Sequence, residues 1–193
     1  MESVTDDSIG PRARTRRAIL DAALEVLGSR PSASLGEVAD AAGVGRSTVH
    51  RYFPDRSALV AAMFDDTIEA MQRGFDEAAL DQGTPVEALR RLVHAFFELG
   101  PRMMFLFSEL AEDQWNNAAL ERTQWPVGEL FARGQAQGHF DPELSIDWII
   151  RILWHLMSAG WEAVNEGALR KHEAIANLVR TIENCLRVSS DPS

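Results

Sequence analysis

The sequence has 193 residues, of which 46% are hydrophobic and 25% are charged, as is typical of a globular protein with a substantial core. Its net charge of −10 argues, taken alone, against a nucleic-acid partner. No apolar run approaches the ~20 residues that cross a bilayer, no secretory signal opens the chain, and a single cysteine excludes an intramolecular disulfide. We therefore expect a cytoplasmic protein that does not enter the membrane.

Hydrophobic residues recur at helical spacing along the chain, and no stretch alternates in the manner of a β-strand. The sequence therefore predicts an all-α fold. We expect a flexible arm over residues 1–14, a small three-helix domain over 15–55 and a larger helical domain over 56–193. The first helix is predicted to begin near residue 15.

Residues 34–53 contain two short helical patterns that meet at a glycine-containing turn. Ser34 and Glu37 have the spacing of a capping box, in which each residue satisfies a free backbone amide of the other. The second helix carries Val49 and Phe53 four residues apart, on the side that faces inward. Helix, tight turn and helix is the helix-turn-helix arrangement, whose second helix enters the major groove of DNA.

The remaining side chains of the second helix can all donate a hydrogen bond. They are Arg46, Ser47, Thr48, His50, Arg51 and Tyr52. Arg46 and Ser47 stand at the helix start, which is the part of a recognition helix that reaches base edges. Thr48 and Tyr52 suit phosphate oxygens. The alternative is an ordinary helical hairpin with a polar outer face.

The distribution of charge favours the DNA interpretation. Residues 11–56 contain eight arginines and five carboxylates, a net charge of +3, whereas residues 57–193 carry −10. A basic segment in an acidic chain is typical of nucleic-acid binding when it coincides with a recognition motif. Arg16 and Arg17 are therefore predicted to contact phosphates. Solvated charge near a terminus is the alternative, and it applies most to Arg12.

Residues 15–60 resemble the N-terminal domain of the tetracycline-repressor (TetR) family. The resemblance rests on four motifs at matching spacing, which are ILDAALEVL, EVADAAGV, STVHRYF and FPDRSAL. It implies an all-α homodimer that binds palindromic double-stranded operator DNA, usually represses transcription, and releases DNA when a small molecule binds its C-terminal domain.

The resemblance also implies roles for individual residues. Thr48 and Tyr52 match phosphate contacts of the family, and Arg56 matches a basic residue that grips the DNA backbone. Ser34, at the start of the motif, is also predicted to contact DNA. Two residues depart from the family pattern. His50 replaces an aromatic residue, and Gly36 weakens the start of its helix, so the base preference is not implied.

Large aromatic and sulfur-containing side chains crowd the C-terminal domain. Large apolar side chains of this kind suit a small-molecule pocket between helices, although most of these residues are expected to belong to the core. The predicted ligand-binding residues, with one histidine as a polar anchor, are Phe96, Met103, Phe107, Trp115, Trp125, Trp154, His155, Met157 and Trp161. An apolar or aromatic effector is expected there.

A long helix near the C-terminus is apolar on nearly every side over residues 148–157. A helix of this kind must be covered on every side, and a second copy of the chain would cover one of them. The predicted dimer-interface residues on this helix and the last one are Trp148, Ile150, Leu153, Ile175, Leu178 and Ile182. The alternative is a fully internal helix in a monomer.

An enzyme is the main rival class, and its motifs are missing from the sequence. There is no Glu-x-x-His, no Cys or His pair with zinc spacing and no phosphate-binding glycine loop. We therefore predict a transcriptional regulator with no catalytic residues, metal or cofactor. A dimeric adaptor that binds protein, or a small helical enzyme, is the alternative.

Overall fold

The computed structural model describes residues 10–100, 102, 103, 105 and 118–187, except for the side chains of 118–125. Regular structure within these residues is entirely helical, which confirms the predicted fold class. The helices are α1 (Pro11–Ser29), α2 (Leu35–Ala41), α3 (Arg46–Tyr52), α4 (Arg56–Ala78), α5 (Pro85–Glu98), α6 (Ala118–Ala136), α7 (Ile146–Asn165) and α8 (Lys171–Cys185). Among the described residues, none of the helices combines the length and the hydropathy needed to cross a bilayer.

Helix α1 begins earlier than predicted, so residues 11–14 belong to a helix and not to a flexible arm. Pro11 occupies the first turn, and the amides of Ala13 and Arg14 donate to the carbonyl of Gly10 at 2.9 and 3.1 Å. Proline suits this position because its fixed φ is already helical and it has no amide to satisfy. The apolar stripe begins only at Ile19, which is why periodicity alone missed the first turn.

The described residues fall into two compact units. The first unit runs to Thr67 and includes Phe105, and the second contains the remaining residues. The division lies inside α4. The sequence predicted it before this helix, at residue 56. The physical reason is that Leu59 and Met63, in the first turns of α4, are fully buried in the core of the first unit.

The first unit is held together by a single apolar core. Val38 of α2 and Val49 of α3 are fully buried, and Phe53 just after α3 is 3% exposed. These residues pack with the inner sides of α1 and α4. The predicted inward orientation of Val49 and Phe53 is thereby confirmed.

The second unit is a helical bundle with an aromatic centre. Helix α7 packs on α6 and α8, and α5 packs on α6, α7 and α8. The ring of Phe96 lies 4.9 Å from that of Phe75 and 5.0 Å from that of Trp154, centroid to centroid. Rings at these separations add to the energy of burial.

Two arginines stabilise the turn that follows α4. Ala79 adopts a left-handed conformation with φ of 45°, which is costly for a residue with a Cβ. Arg91 donates to the carbonyls of Ala78 and Ala79 at 2.6 and 2.8 Å. Arg133 of α6 donates to the carbonyl of Leu80 at 2.6 Å. These bonds hold the turn in its strained conformation.

We predict that Gly134→Ala destabilises the second unit by about 1–3 kcal/mol, because overpacking a filled core forces its neighbours to move. A Cβ at Gly134 would overlap the ring of Phe140, which is 2% exposed and packs against Phe131. The matched control is Gly128→Ala on the same helix, where a Cβ would meet only Cγ2 of Ile146 at 3.8 Å. Equal denaturant midpoints for the two variants would contradict this packing.

Candidate nucleic-acid interface

The start of α2 is organised by a capping box, as the sequence predicted. The hydroxyl of Ser34 accepts from the amide of Glu37 at 3.3 Å, and the Glu37 carboxylate accepts from the Ser34 amide at 2.8 Å. The same carboxylate binds the Ser34 hydroxyl at 3.0 Å and Arg30 at 2.6 Å. These bonds, first those of Ser34 and then the charge of Arg30, hold the pKa of Glu37 below its usual value of 4.5.

The turn into α3 is tight. Gly43 has φ of +65°, the left-handed conformation that glycine adopts at little cost. The amide of Val44 then donates to the carbonyl of Ala39 at 3.0 Å, which closes the end of α2. Gly45 precedes α3 in an extended conformation. Helices α2 and α3 are therefore fixed relative to each other by the backbone as well as by the core.

Helix α3 presents its polar side chains to solvent. Arg46, Ser47, His50 and Arg51 are exposed, and Thr48 is half-buried. The exposed residues at the start of the helix are those predicted to reach bases. A recognition helix needs this arrangement, because base edges are read by side chains near its N-terminus.

A basic cluster, formed by Arg12, Arg16 and Arg51, surrounds the aromatic end of α3. The guanidinium carbons of Arg12 and Arg51 lie 6.0 and 5.5 Å from the ring centroid of Tyr52. That of Arg16 lies 5.7 Å from the ring centroid of Phe53. Such cation–π contacts keep the charged groups at the surface beside the rings. The cluster brings the start of α1 and the end of α3 onto one positively charged surface.

Arg12 was not among the predicted DNA contacts, because the sequence does not show which residues lie close to a charged side chain near a terminus. Its position over Tyr52 depends on how α1 packs against α3. The clue in the sequence was the spacing of four between Arg12 and Arg16, which places both on one side of α1.

The structure gives Arg17 a different role from the predicted phosphate contact. Its guanidinium binds both carboxylate oxygens of Asp21 at 3.0 Å through Nε and Asp66 of α4 at 2.6 Å. Hydrogen bonding to Asp21, followed by the charge of Asp66, raises the pKa of Arg17. Asp66 is 8% exposed, so this ion pair ties α1 to α4 and neutralises the arginine locally.

Arg56 is likewise engaged within the protein. One of its terminal nitrogens donates to the carbonyl of Pro31 at 2.8 Å, which connects the start of α4 to the segment before α2. The hydroxyl of Ser34 is bound to Glu37, as described above. Contacts of Arg56 and Ser34 with DNA therefore stay predictions. They require each side chain to bind DNA in addition to its partner within the protein.

Most of the predicted ligand-binding residues are packed in the core of the second unit. Phe96, Met103, Trp154, Met157 and Trp161 are buried, and His155 is exposed. Phe107 and Trp115 lie outside the described residues, as does the side chain of Trp125.

A groove of about 430 Å³ opens on the second unit between the end of α4 and α6. Its apolar floor includes Phe75 and Leu130, and the carboxylates of Asp76, Asp81 and Glu129 border it. None of the predicted ligand-binding residues lines this groove. The described residues contain no cluster of His, Cys, Asp and Glu that could hold a metal ion.

Most of the predicted dimer residues are covered by their own chain. These buried residues are Ile150, Leu153, Ile175, Leu178 and Ile182. They pack as core because α5, α6 and α8 lie against α7 within the subunit. By contrast, 51% of the Trp148 side chain is exposed, and no other large hydrophobic residue in the described part of the chain is as accessible.

Comparison with known proteins agrees with this geometry. Residues 19–63 match the family model described as bacterial regulatory proteins of the tetR family. The HTH-type transcriptional repressor LfrR of Mycolicibacterium smegmatis is 37% identical over 175 residues, which are 90% of each chain. The regulator NfxB of Pseudomonas aeruginosa is 26% identical over 85% of this chain and 88% of its own.

Among solved structures, the chain is similar to LfrR from Mycobacterium smegmatis in complex with proflavine. The TM-score is 0.71 at 32% identity, and the alignment covers 91% of this chain and 99% of that one. The match extends well beyond the helix-turn-helix, so the similarity includes both units.

Proposed function

Since the chain belongs to the TetR family and is a DNA-binding transcriptional regulator, we propose that it represses transcription from a palindromic operator. It acts as a homodimer in the cytoplasm, and a planar aromatic small molecule that binds the second unit releases it from DNA. Members of this family bind operator DNA and small-molecule effectors and act as dimers.

The observation that carries the DNA-binding role is the surface formed by α1 and α3. Exposed hydrogen-bond donors stand at the start of α3, and the basic cluster lies at its other end. We assign base contacts to Arg46 and Ser47 because both stand at the start of α3. The guanidinium of Arg46 can donate two hydrogen bonds to one guanine. Thr48, Tyr52 and the basic cluster contact phosphates. His50 faces solvent beside them and is assigned to the groove.

The dimer is proposed to form along the side of α7 that carries Trp148. His155 and Ala159 are also exposed on this helix, and Ile152 and Leu156 are half-buried. Packing of a second copy on this side would remove apolar surface of Trp148, Ile152, Leu156 and Ala159 from water. A dimer supplies two recognition helices, as a palindromic site with half-sites in successive major grooves, about 34 Å apart, requires.

The effector is proposed to be a planar aromatic cation. A similar protein, LfrR, has been crystallised with proflavine, which is a molecule of this kind. Residues 68–193 of this chain carry 19 carboxylates and 11 basic side chains, so the second unit attracts cations. The groove between the end of α4 and α6 combines the apolar side chains of Phe75 and Leu130 with the carboxylates of Asp76, Asp81 and Glu129, which suits an aromatic cation.

Helix α4 supplies the proposed route from effector to DNA. It is one continuous helix with residues in both units, and Arg17 binds its buried Asp66. A ligand that displaces α4 alters the separation of the two recognition helices. The dimer then cannot contact both half-sites together, and operator affinity falls.

The direct test of this function is binding to a DNA fragment from beside the gene, in competition with unrelated DNA. We expect salt-sensitive binding that prefers the adjacent fragment. Equal affinity for both fragments would contradict sequence-specific recognition.

We predict that Arg46→Ala and Thr48→Ala weaken operator binding in different ways. Loss of Arg46 should cost about 1–3 kcal/mol and relax the preference at one base pair, because a base contact is removed. Loss of Thr48 should weaken binding to all sequences similarly. Fluorescence anisotropy with a set of single-base operator variants distinguishes these results. Unchanged affinity of both variants at moderate salt would contradict the placement.

For the dimer, we predict that Trp148→Glu gives a folded monomer, because this exposed side chain is not needed inside the subunit. Light scattering at micromolar concentration should show a dimer for the wild type and a monomer for the variant, with operator affinity lost in parallel. The control is Gln72→Glu, an exposed residue of α4. A wild-type monomer, or a variant that remains dimeric, would overturn this interface.

For the effector, we predict that proflavine lowers operator affinity by about 5- to 150-fold, the usual range of allosteric coupling. Anisotropy of a labelled operator measures the release. An unrelated repressor on its own operator, at the same dye concentration, reports displacement caused by dye bound to DNA. A loss no greater than in that control would show that the dye is not an effector.

A further inference from the structure

Gly36, the second residue of α2, lies directly beneath the side chain of Arg46. A Cβ at position 36 would lie 3.0 Å from Nε, 3.1 Å from Cζ and 3.2 Å from a terminal nitrogen of Arg46. The guanidinium therefore reaches back from α3 and rests on the first turn of α2. The space it occupies exists because position 36 has no side chain.

The backbone does not require glycine at this position. Gly36 is helical and is not among the glycines with positive φ. The capping box of Ser34 and Glu37 starts the helix independently of it. Glycine is a poor helix former, so its presence inside a seven-residue helix weakens that helix. What glycine provides here is the close approach of Arg46.

Of the groups around position 36, the Arg46 side chain is the one that would move if a larger residue replaced Gly36. Val38 and Val49 are fully buried, and the amide of Val44 is bound to Ala39, so α2 and α3 cannot shift easily. Within the described residues, the Arg46 guanidinium makes no hydrogen bond or ion pair. Its placement is therefore set by the shape of the surface under it.

We infer that Gly36 is a specificity-determining residue, which acts by holding Arg46 against α2 in the orientation from which it reads a base. This inference rests on the proposed function, since it assigns Arg46 to a base edge. Contact of the guanidinium with the first turn of α2 at Gly36 favours this orientation over the others that the long arginine side chain can adopt. Less ordering is then required when Arg46 binds DNA.

A methyl group at position 36 would lie closer to the guanidinium than ordinary van der Waals contact allows, so the end of the arginine side chain must shift. The contacting atoms are the far end of a flexible side chain, so the arginine moves away while the helices stay in place. Gly36→Ala also favours the helical state of α2. The variant keeps every charge of the wild type, so its binding to unrelated DNA should not change.

The test is a double-mutant cycle on the operator, with Gly36→Ala, Arg46→Ala and both together. We expect Gly36→Ala to weaken operator binding about three- to tenfold when Arg46 is present and to have no effect when it is absent, as for residues in direct contact. Preference at the base pair that Arg46 reads should relax. The matched control is Gly28→Ala in α1, where a Cβ would meet nothing within 4 Å.

A second measurement does not depend on DNA. The Nε–H resonance of Arg46 in the free protein, assigned with Arg46→Ala, should shift in Gly36→Ala and stay unchanged in Gly28→Ala. An unchanged resonance, or equal effects of Gly36→Ala in both backgrounds of the cycle, would overturn this inference while leaving the proposed function in place. A wild type that binds no operator would overturn both.

Discussion

The burial of Val49 and Phe53 is the constraint on which the DNA-binding surface depends. Both side chains lie in the core shared by α1, α2 and α4, and they fix the rotation of α3 about its axis. In a helix of seven residues, fixing that inner side determines where every other side chain points. Arg46, Ser47 and His50 are exposed for this reason. The core thus positions the chemistry, although none of its members would touch DNA.

The local arrangement of charge matters more for this protein than its net charge. A chain of −10 presents a basic cluster because α1 and α3 bring their arginines together around Tyr52 and Phe53. Salt screens charges beyond about 8–10 Å, so acidic residues elsewhere in the chain oppose this surface only weakly. Arg17 shows the opposite case, since Asp21 and Asp66 neutralise it. Proximity within the fold separates the arginines available to phosphate from those that hold helices together.

The sequence predicted features that depend on near neighbours and missed those that depend on packing. The capping box of Ser34 and Glu37 was predicted because both partners lie within one turn. The ion pair of Arg17 with Asp66 joins residues 49 positions apart, which no local pattern reveals. Apolar residues of α7 and α8 were assigned to a dimer, since periodicity shows that a side must be covered but not by which chain. The structure covers most of them with the same chain.

The central claim is that the basic surface of α1 and α3 binds operator DNA, and the salt dependence of operator binding tests it most directly. Each phosphate contact contributes about −0.9 to the slope of log affinity against log salt concentration. The wild type should show a steep negative slope. In Arg12→Ala the slope should be shallower by about 1 for each subunit of the dimer, with base preference unchanged. A slope near zero, or the same slope in both proteins, would contradict the claim.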